Sequence, residues 1–240
     1  MAVGRIPGVA RKPARHTERL ALSWIHSNVG TLKGSRMATT CPVDFDTARL
    51  RREIRAIYAR VASDPMSEFH FHRGPAYAAE RLGYDATALA ALPPEATASF
   101  AGVANPLRMA ALPAGATVVD IGCGAGMDLM LAADAVGPGG HAIGIDMTEP
   151  MAERARASAR ALGFGNVEVR AGDALDLPVD SESVDFVISN GVLNLATDKR
   201  QAFSEVFRIL KRGGQFLYAD ITVANELSES IRRDIDLWTG

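Results

Sequence analysis

The chain has 240 residues, 48% hydrophobic and 22% charged, with a formal net charge of -2. That length suits one well-packed domain with an N-terminal extension. The near-neutral balance gives no whole-protein attraction to nucleic acid or to an anionic membrane. The two cysteines, Cys41 and Cys123, form neither a disulfide framework nor a zinc spacing, and they fit a reducing cytoplasm. No apolar run is long enough to span a bilayer.

Residues 1–45 read as a basic, disordered extension. In the first 36, Arg5, Arg11, Lys12, Arg15, Arg19, Lys33 and Arg36 face one acid, Glu18. A targeting peptide is the competing reading, but serine is sparse and the amphipathic pattern weak. An unstructured extension ahead of a start at Met37 is the expectation.

Residues 46–112 read as a helical lead-in. From Asp46 to Ala62, Leu50, Ile54, Ile57, Tyr58 and Val61 recur at helical spacing. Ala76 to Leu82 is a short helix stopped by Gly83. Leu92-Pro93-Pro94 breaks the chain before a helix from Glu95 towards Phe100.

In residues 113–240 strands and helices alternate. Strands are expected at Thr117–Ile121, His141–Ile145, Val167–Arg170, Val184–Ser189 and Gln215–Ile221. Helices are expected from Met127 to Val136, Pro150 to Leu162, Asp198 to Leu210 and Leu227 to Trp238. This rhythm predicts an α/β fold with a doubly wound, mostly parallel sheet. Such sheets bind ligands at the carboxyl ends of their strands.

The candidate chemistry sits at those ends. Asp120 closes the first of these strands, and Gly122, Gly124 and Gly126 follow at two-residue spacing. Glycines let a backbone turn sharply and approach a ligand. A dinucleotide fingerprint would have its third glycine at Met127, and an acid ahead of the loop would repel a pyrophosphate. The arrangement suits a ligand with a positive centre, such as a sulfonium or an amino group. Asp146 lies 20 residues beyond Gly126, at the spacing of a ribose-binding acid. Its competing role is a helix N-cap, which Thr148 can fill. Asp173 and Ala174 follow the next strand and can meet an adenine edge; a turn aspartate is the plainer reading. Asn190 lines the crevice after the fourth strand or simply makes a turn. Together these residues outline a site for a nucleoside with a charged amino-acid tail.

From about Ala56 onward the chain resembles the class I S-adenosylmethionine-dependent methyltransferases, within them the arsenite methyltransferase-like branch. The segments that carry the resemblance are Asp146-Met147-Thr148-Glu149-Pro150-Met151, the run Ile188 to Lys199, and Gly102-Val103-Ala104-Asn105-Pro106. The resemblance implies a Rossmann-like fold and S-adenosylmethionine as cofactor. It implies that Gly122, Gly124 and Gly126 contact the methionine part, Asp146 and Met147 the ribose and adenine edge, and Asp173 and Ala174 the adenine. Asn190 would lie near the methionine carboxylate or sulfonium, and Tyr58 would close over the cofactor.

Two departures stand out. The family's metalloid-binding cysteines are replaced by Val103 and Gly191 here, although soft As(III) needs sulfur ligands. Two strands that end a complete domain of this class are also missing. The fifth strand is then expected to expose an edge, and either the sequence is a fragment or another chain of an oligomer covers that edge. His70 and His72, flanked by Phe69 and Phe71, are candidates for a base or for lining the substrate site; no metal site is expected.

The expected function is methyl transfer to a small-molecule acceptor, with no nucleic-acid or membrane partner. The alternative is a non-catalytic or truncated cofactor-binding protein. An NAD-dependent oxidoreductase is disfavoured by Met127 and Asp120.

Overall fold

The computed structural model describes residues 46–222 and the backbone of residues 2–6. The expected helix Leu227–Trp238 lies outside the described residues. Six strands form one sheet: β1 (Ala2–Ile6), β2 (Thr117–Ile121), β3 (His141–Asp146), β4 (Val167–Ala171), β5 (Val184–Asn190) and β6 (Leu210–Asp220). Their order is β1-β6-β5-β2-β3-β4. All pairs are parallel except β1 with β6.

Three helices follow the sheet strands: α5 (Met127–Val136), α6 (Glu149–Leu162) and α7 (Lys199–Ile209). Alternate strand residues point to opposite faces. Val119, Ile121, Ile143, Ile145 and Phe216 pack with Phe203, Val206 and Ile209 of α7. Val118, Phe186, Ile188 and Leu217 turn the other way, onto Ala132 and Val136 of α5. Helix α6 packs against α5 on that same side, through Ala155 and Ala159. The sheet is therefore doubly wound, as the alternating pattern predicts. Strand β2 lies between β3 and β5, so the crossovers reverse there and leave a crevice at its carboxyl end.

The helical lead-in consists of α1 (Thr47–Ser63), α2 (Gly74–Leu82), α3 (Ala86–Ala90) and α4 (Pro94–Thr97). The Asp46 carboxylate caps α1, accepting from the N–H groups of Ala48 and Arg49 at 2.9 and 3.0 Å. Gly83 ends α2 in the left-handed conformation. Helix α3, capped by Asp85, has too few residues for its period to show in the sequence. Helix α4 ends at Thr97, short of Phe100.

Two expectations change at the sheet edge. Residues 2–6 are not a disordered extension: they pair antiparallel with β6, Ala2 opposite Asp220 and Ile6 opposite Phe216. The edge of β6 is thus paired within the chain, which removes the ground for expecting a second chain there. Strand β6 also begins at Leu210, not Gln215. Leu210 pairs with Val184 and Gln215 with Phe186, so the Lys211–Gly214 turn becomes a bulge inside the strand. Residues 7–45 lie outside the described residues.

Candidate functional site

The crevice is a cavity of about 140 Å³, partly open to solvent. Its floor is the strand-end loops. Its other wall is α1 and the segment 99–102. All the residues expected to hold a cofactor line it except Gly126.

The glycine loop is held from below. Gly122 and Cys123 donate their backbone N–H groups to the Ile145 carbonyl at 2.7 and 3.1 Å. Gly122 has φ +69°, and a Cβ there would lie 2.4 Å from Val192 Cγ2. Glycine is required at this position for conformation and for space together. Gly124 differs: its φ is +54°, and nothing lies within 4 Å of where its Cβ would stand. Gly124 lines the cavity, so a ligand can come close to this turn without meeting a side chain. Gly126 is a correction to the expected contacts. Its Cβ would sit 3.2 Å from that of Ala155, so this glycine lets α5 approach α6. Met127, where a dinucleotide loop would have glycine, is 2% exposed and packs with Ala78, Tyr84 and Leu89.

Asp146 accepts from Gly124 N–H at 2.9 Å through one oxygen and from Thr148 N–H at 2.8 Å through the other. The Thr148 side chain also hydrogen-bonds this carboxylate, which keeps acceptor capacity for a ligand hydroxyl. Thr148 occupies the N-cap position of α6, so Asp146 is not spent on capping. Burial raises the Asp146 pKa, opposed by these hydrogen bonds. Met147 lines the cavity beside it.

Asp173 binds the Leu175 N–H at 2.9 Å and forms an ion pair with Arg51 of α1. Ala174 lines the cavity next to it. An adenine amino group would therefore meet a carboxylate already oriented by a turn and by a cation on the opposite wall. Tyr58, two turns along α1 from Arg51, stacks on Phe71 with ring centroids 6.1 Å apart. Burial, then the nearby Asp146 charge, pushes its hydroxyl up to about 12, so it keeps its proton at neutral pH.

Asn190 is placed at the cavity but not as expected. Its Oδ1 accepts from the N–H groups of Val103 and Ala104 at 2.8 and 3.3 Å. Its Nδ2 donates to the Ala104 carbonyl at 2.8 Å and to Asp128 Oδ2 at 3.0 Å. These bonds satisfy its side chain. Asn190 positions the 101–105 segment and is not free to grip a methionine carboxylate.

Asp128, Tyr84, Ser99 and Arg51 carry little signal in the residue pattern. Asp128 accepts from the Tyr84 hydroxyl at 2.7 Å, as well as from Asn190. Burial raises its pKa to about 6, against both hydrogen bonds. The signal was an acid in the first turn of α5 with no cation near it in sequence. Ser99 lines the cavity, is 5% exposed, and its Oγ has no partner. Asp120 lies 3% exposed at the end of β2, and its Oδ2 also lacks a partner. Burial, then the charges of Asp128 and Asp146, raises its pKa well above the usual carboxylate range.

The candidate bases His70 and His72 do not line the cavity. Both are exposed; His70 meets Phe71 edge-on and His72 stacks on Tyr77. Alternation along 69–72 puts Phe69 and Phe71 inward instead, among Tyr58 and Val61. No cluster of three or more metal-binding side chains occurs among the described residues.

The two positions where the family carries cysteines are neighbours: a Cβ on Gly191 would lie 3.4 Å from Val103 Cγ1. Cys123 does not replace them. Its sulfur lies beneath Gly144, where an added Cβ would be 2.8 Å away, and burial pushes the thiol well up.

A family model described as "Methyltransferase domain" matches residues 112–239. The chain is 43% identical over 161 residues to an arsenite methyltransferase of Halobacterium salinarum, covering 67% of this chain and 41% of that protein. It is 37% identical over 130 residues to an arsenite methyltransferase of Mus musculus, covering 50% and 35%. The chain thus spans less than half the length of these curated relatives. A solved arsenic(III) S-adenosylmethionine methyltransferase from Chlamydomonas reinhardtii has a TM-score of 0.54 and 37% identity, with 60% of this chain and 51% of that one covered. With the family model spanning the glycine loop and every parallel strand, the chain belongs to the S-adenosylmethionine-dependent methyltransferase family.

Proposed function

We propose that the chain binds S-adenosylmethionine in this cavity and transfers its methyl group to a small-molecule acceptor. The observation that carries the reading is the buried, unpartnered Asp120 Oδ2 in the cavity lining, together with the open space over Gly124 in the same lining. A cationic amino-acid tail fits both. Asp146 is oriented to accept from the ribose hydroxyls, with Met147 beside it. Asp173 and Ala174 meet the adenine, and Tyr58 and Arg51 close the opposite wall.

When bound, the cofactor supplies an electrophilic methyl on a sulfonium. The chain's own residues supply alignment and dryness, which carry a large share of the catalysis in such a transfer. Phe100, Ala101, Val192 and Leu195 exclude water from the acceptor side. Among the described lining groups, burial raises Asp128 to about 6, but its oxygens already accept from Tyr84 and Asn190. Tyr58 stays protonated. The acceptor therefore brings a lone pair that is already free, as a thiolate, an amine or an acidic phenol does.

A second reading, arsenite as acceptor, follows from the relatives' names. Val103 and Gly191 speak against it, because they place no sulfur where a thiophilic ion would need it. Product analysis on a panel of arsenite, quinols and small phenols tests the acceptor. Calorimetry with S-adenosylmethionine tests the cofactor: absence of binding ends the proposal, as does binding that survives Asp146→Ala unchanged.

A further inference from the structure

Three carboxylates from three elements line one buried cavity: Asp120 on β2, Asp128 on α5 and Asp146 on β3. Arg51 is the one cation in the described lining, and Asp173 already pairs with it. The other titratable neighbours are neutral: burial keeps Tyr84, Tyr58 and Cys123 protonated. Three uncompensated negative charges buried side by side are costly, and the acid with least support holds a proton. Asp128 has the Tyr84 hydroxyl and the Asn190 amide. Asp146 has two backbone N–H groups. Asp120 Oδ2 has nothing.

We infer that Asp120 is a proton-exchanging anchor, neutral in the free protein and ionised by the ammonium group of an amino-acid-bearing ligand. This inference rests on the cofactor reading above. The balance is simple: the protonated carboxyl and the ligand's ammonium become a carboxylate–ammonium pair, and one proton leaves to solvent. The two carboxylates beside it raise the cost of ionising Asp120 when the cavity is empty. The incoming positive charge removes that cost. Protons thus compete with the cofactor. Affinity rises with pH while Asp120 is protonated in the free protein, and levels off above its raised pKa.

Isothermal titration calorimetry tests this with the full chain, at one pH below the plateau, in phosphate and in Tris. These buffers differ in ionisation enthalpy, so the difference in heat counts protons. S-adenosylmethionine is expected to release about one proton per molecule bound. Methylthioadenosine, which keeps the nucleoside but lacks the ammonium, is expected to bind with no release. Asp120→Asn is expected to weaken S-adenosylmethionine about tenfold or more and to abolish the release. Should that variant fail to fold, the wild-type infrared spectrum serves instead: the carbonyl band of a buried protonated carboxyl must vanish on adding S-adenosylmethionine. Equal heats in the two buffers, release retained in Asp120→Asn, or an unchanged infrared band each overturn the inference while leaving the cofactor reading intact. No binding of S-adenosylmethionine overturns both.

Discussion

The two walls of the cavity are built by different rules. On the strand-end wall the acids are tied by backbone hydrogen bonds: Asp146 to Gly124 and Thr148, Asp173 to Leu175. On the facing wall the contacts are side-chain packing: Tyr58 on Phe71, Tyr84 on Phe100 with centroids 5.4 Å apart, and Ile54 within α1. The first wall reads a charged, polar ligand. The second shapes a space and keeps it dry. Asn190 is the seam, because its one amide grips the 103–104 backbone on one side and Asp128 on the other. The proposed cofactor wall and acceptor wall are joined at few points: Tyr84 and Asn190 on Asp128, and Arg51 on Asp173.

The largest break in this comparison is at Gly122. Gly122→Ala pushes a Cβ into Val192 in a left-handed conformation. We expect a loss of about 3 kcal/mol in stability and no detectable S-adenosylmethionine binding. Thermal melting with calorimetry checks it; a melting temperature near wild type would contradict the steric account.

Next comes the seam. Asn190→Ala strands the Val103 and Ala104 N–H groups and the Asp128 carboxylate. Stability should fall by about 2 kcal/mol, and the acceptor KM should rise more than the cofactor Kd does. An unchanged acceptor KM would remove Asn190 from the seam.

Asp146→Ala attacks the strand-end wall alone. It should weaken S-adenosylmethionine by about 2 kcal/mol while leaving the packing wall and its aromatic contacts unchanged. Equal weakening of cofactor and acceptor would show the walls to be coupled.

Asp128 and Asp220 sharpen the comparison through pH. Burial is the main cause that raises each to about 6, Asp128 in the cavity lining and Asp220 at the carboxyl end of β6 outside that lining. An acid with a raised folded pKa binds its proton more tightly folded than unfolded. Its favourable contribution is therefore greatest at low pH and is lost as pH rises from the unfolded value towards about 6. The wild-type-minus-Asp128→Asn stability difference should decline by about 2 kcal/mol between pH 4 and pH 7. Denaturant melts across that range check it. The same trend for Asp220→Asn should persist when S-adenosylmethionine is present, whereas that for Asp128→Asn should change.

The smallest effect is expected at Gly191, on the packing side. Gly191→Ala has room for its Cβ, 3.4 Å from Val103, but not the favoured φ, which is +73°. About 1 kcal/mol should be lost, with cofactor affinity kept. A tenfold loss of affinity would mean this position belongs to the cofactor wall.

Much of this was legible in the residues. The strands Thr117–Ile121 and His141–Ile145 announce themselves by β-branched runs bounded by glycines, and the acids at 120 and 146 by their places at strand ends. The spacing of the glycines did not separate their duties. All three look alike in sequence, yet one sits under Val192, one faces open space, and one lets two helices meet. His70 and His72 drew notice because histidine carries chemistry, but alternation turned the phenylalanines inward and left the imidazoles exposed.

The residue order carries the local record: periodicity, caps, turn glycines, and acids at strand ends. These depend on neighbours a few residues away, so the α/β class and the cofactor loop can be read from them. Only the tertiary structure decided which acids share a cavity. Asp120, Asp128 and Asp146 come from three elements; Tyr84 and Asn190 reach Asp128 from 44 and 62 residues away, and Arg51 reaches Asp173 from 122. Charge coupling and hydrogen-bond satisfaction depend on distance in space. The packing of α1 and the 99–104 segment onto the sheet therefore settled which side chains face a ligand and which merely hold the wall.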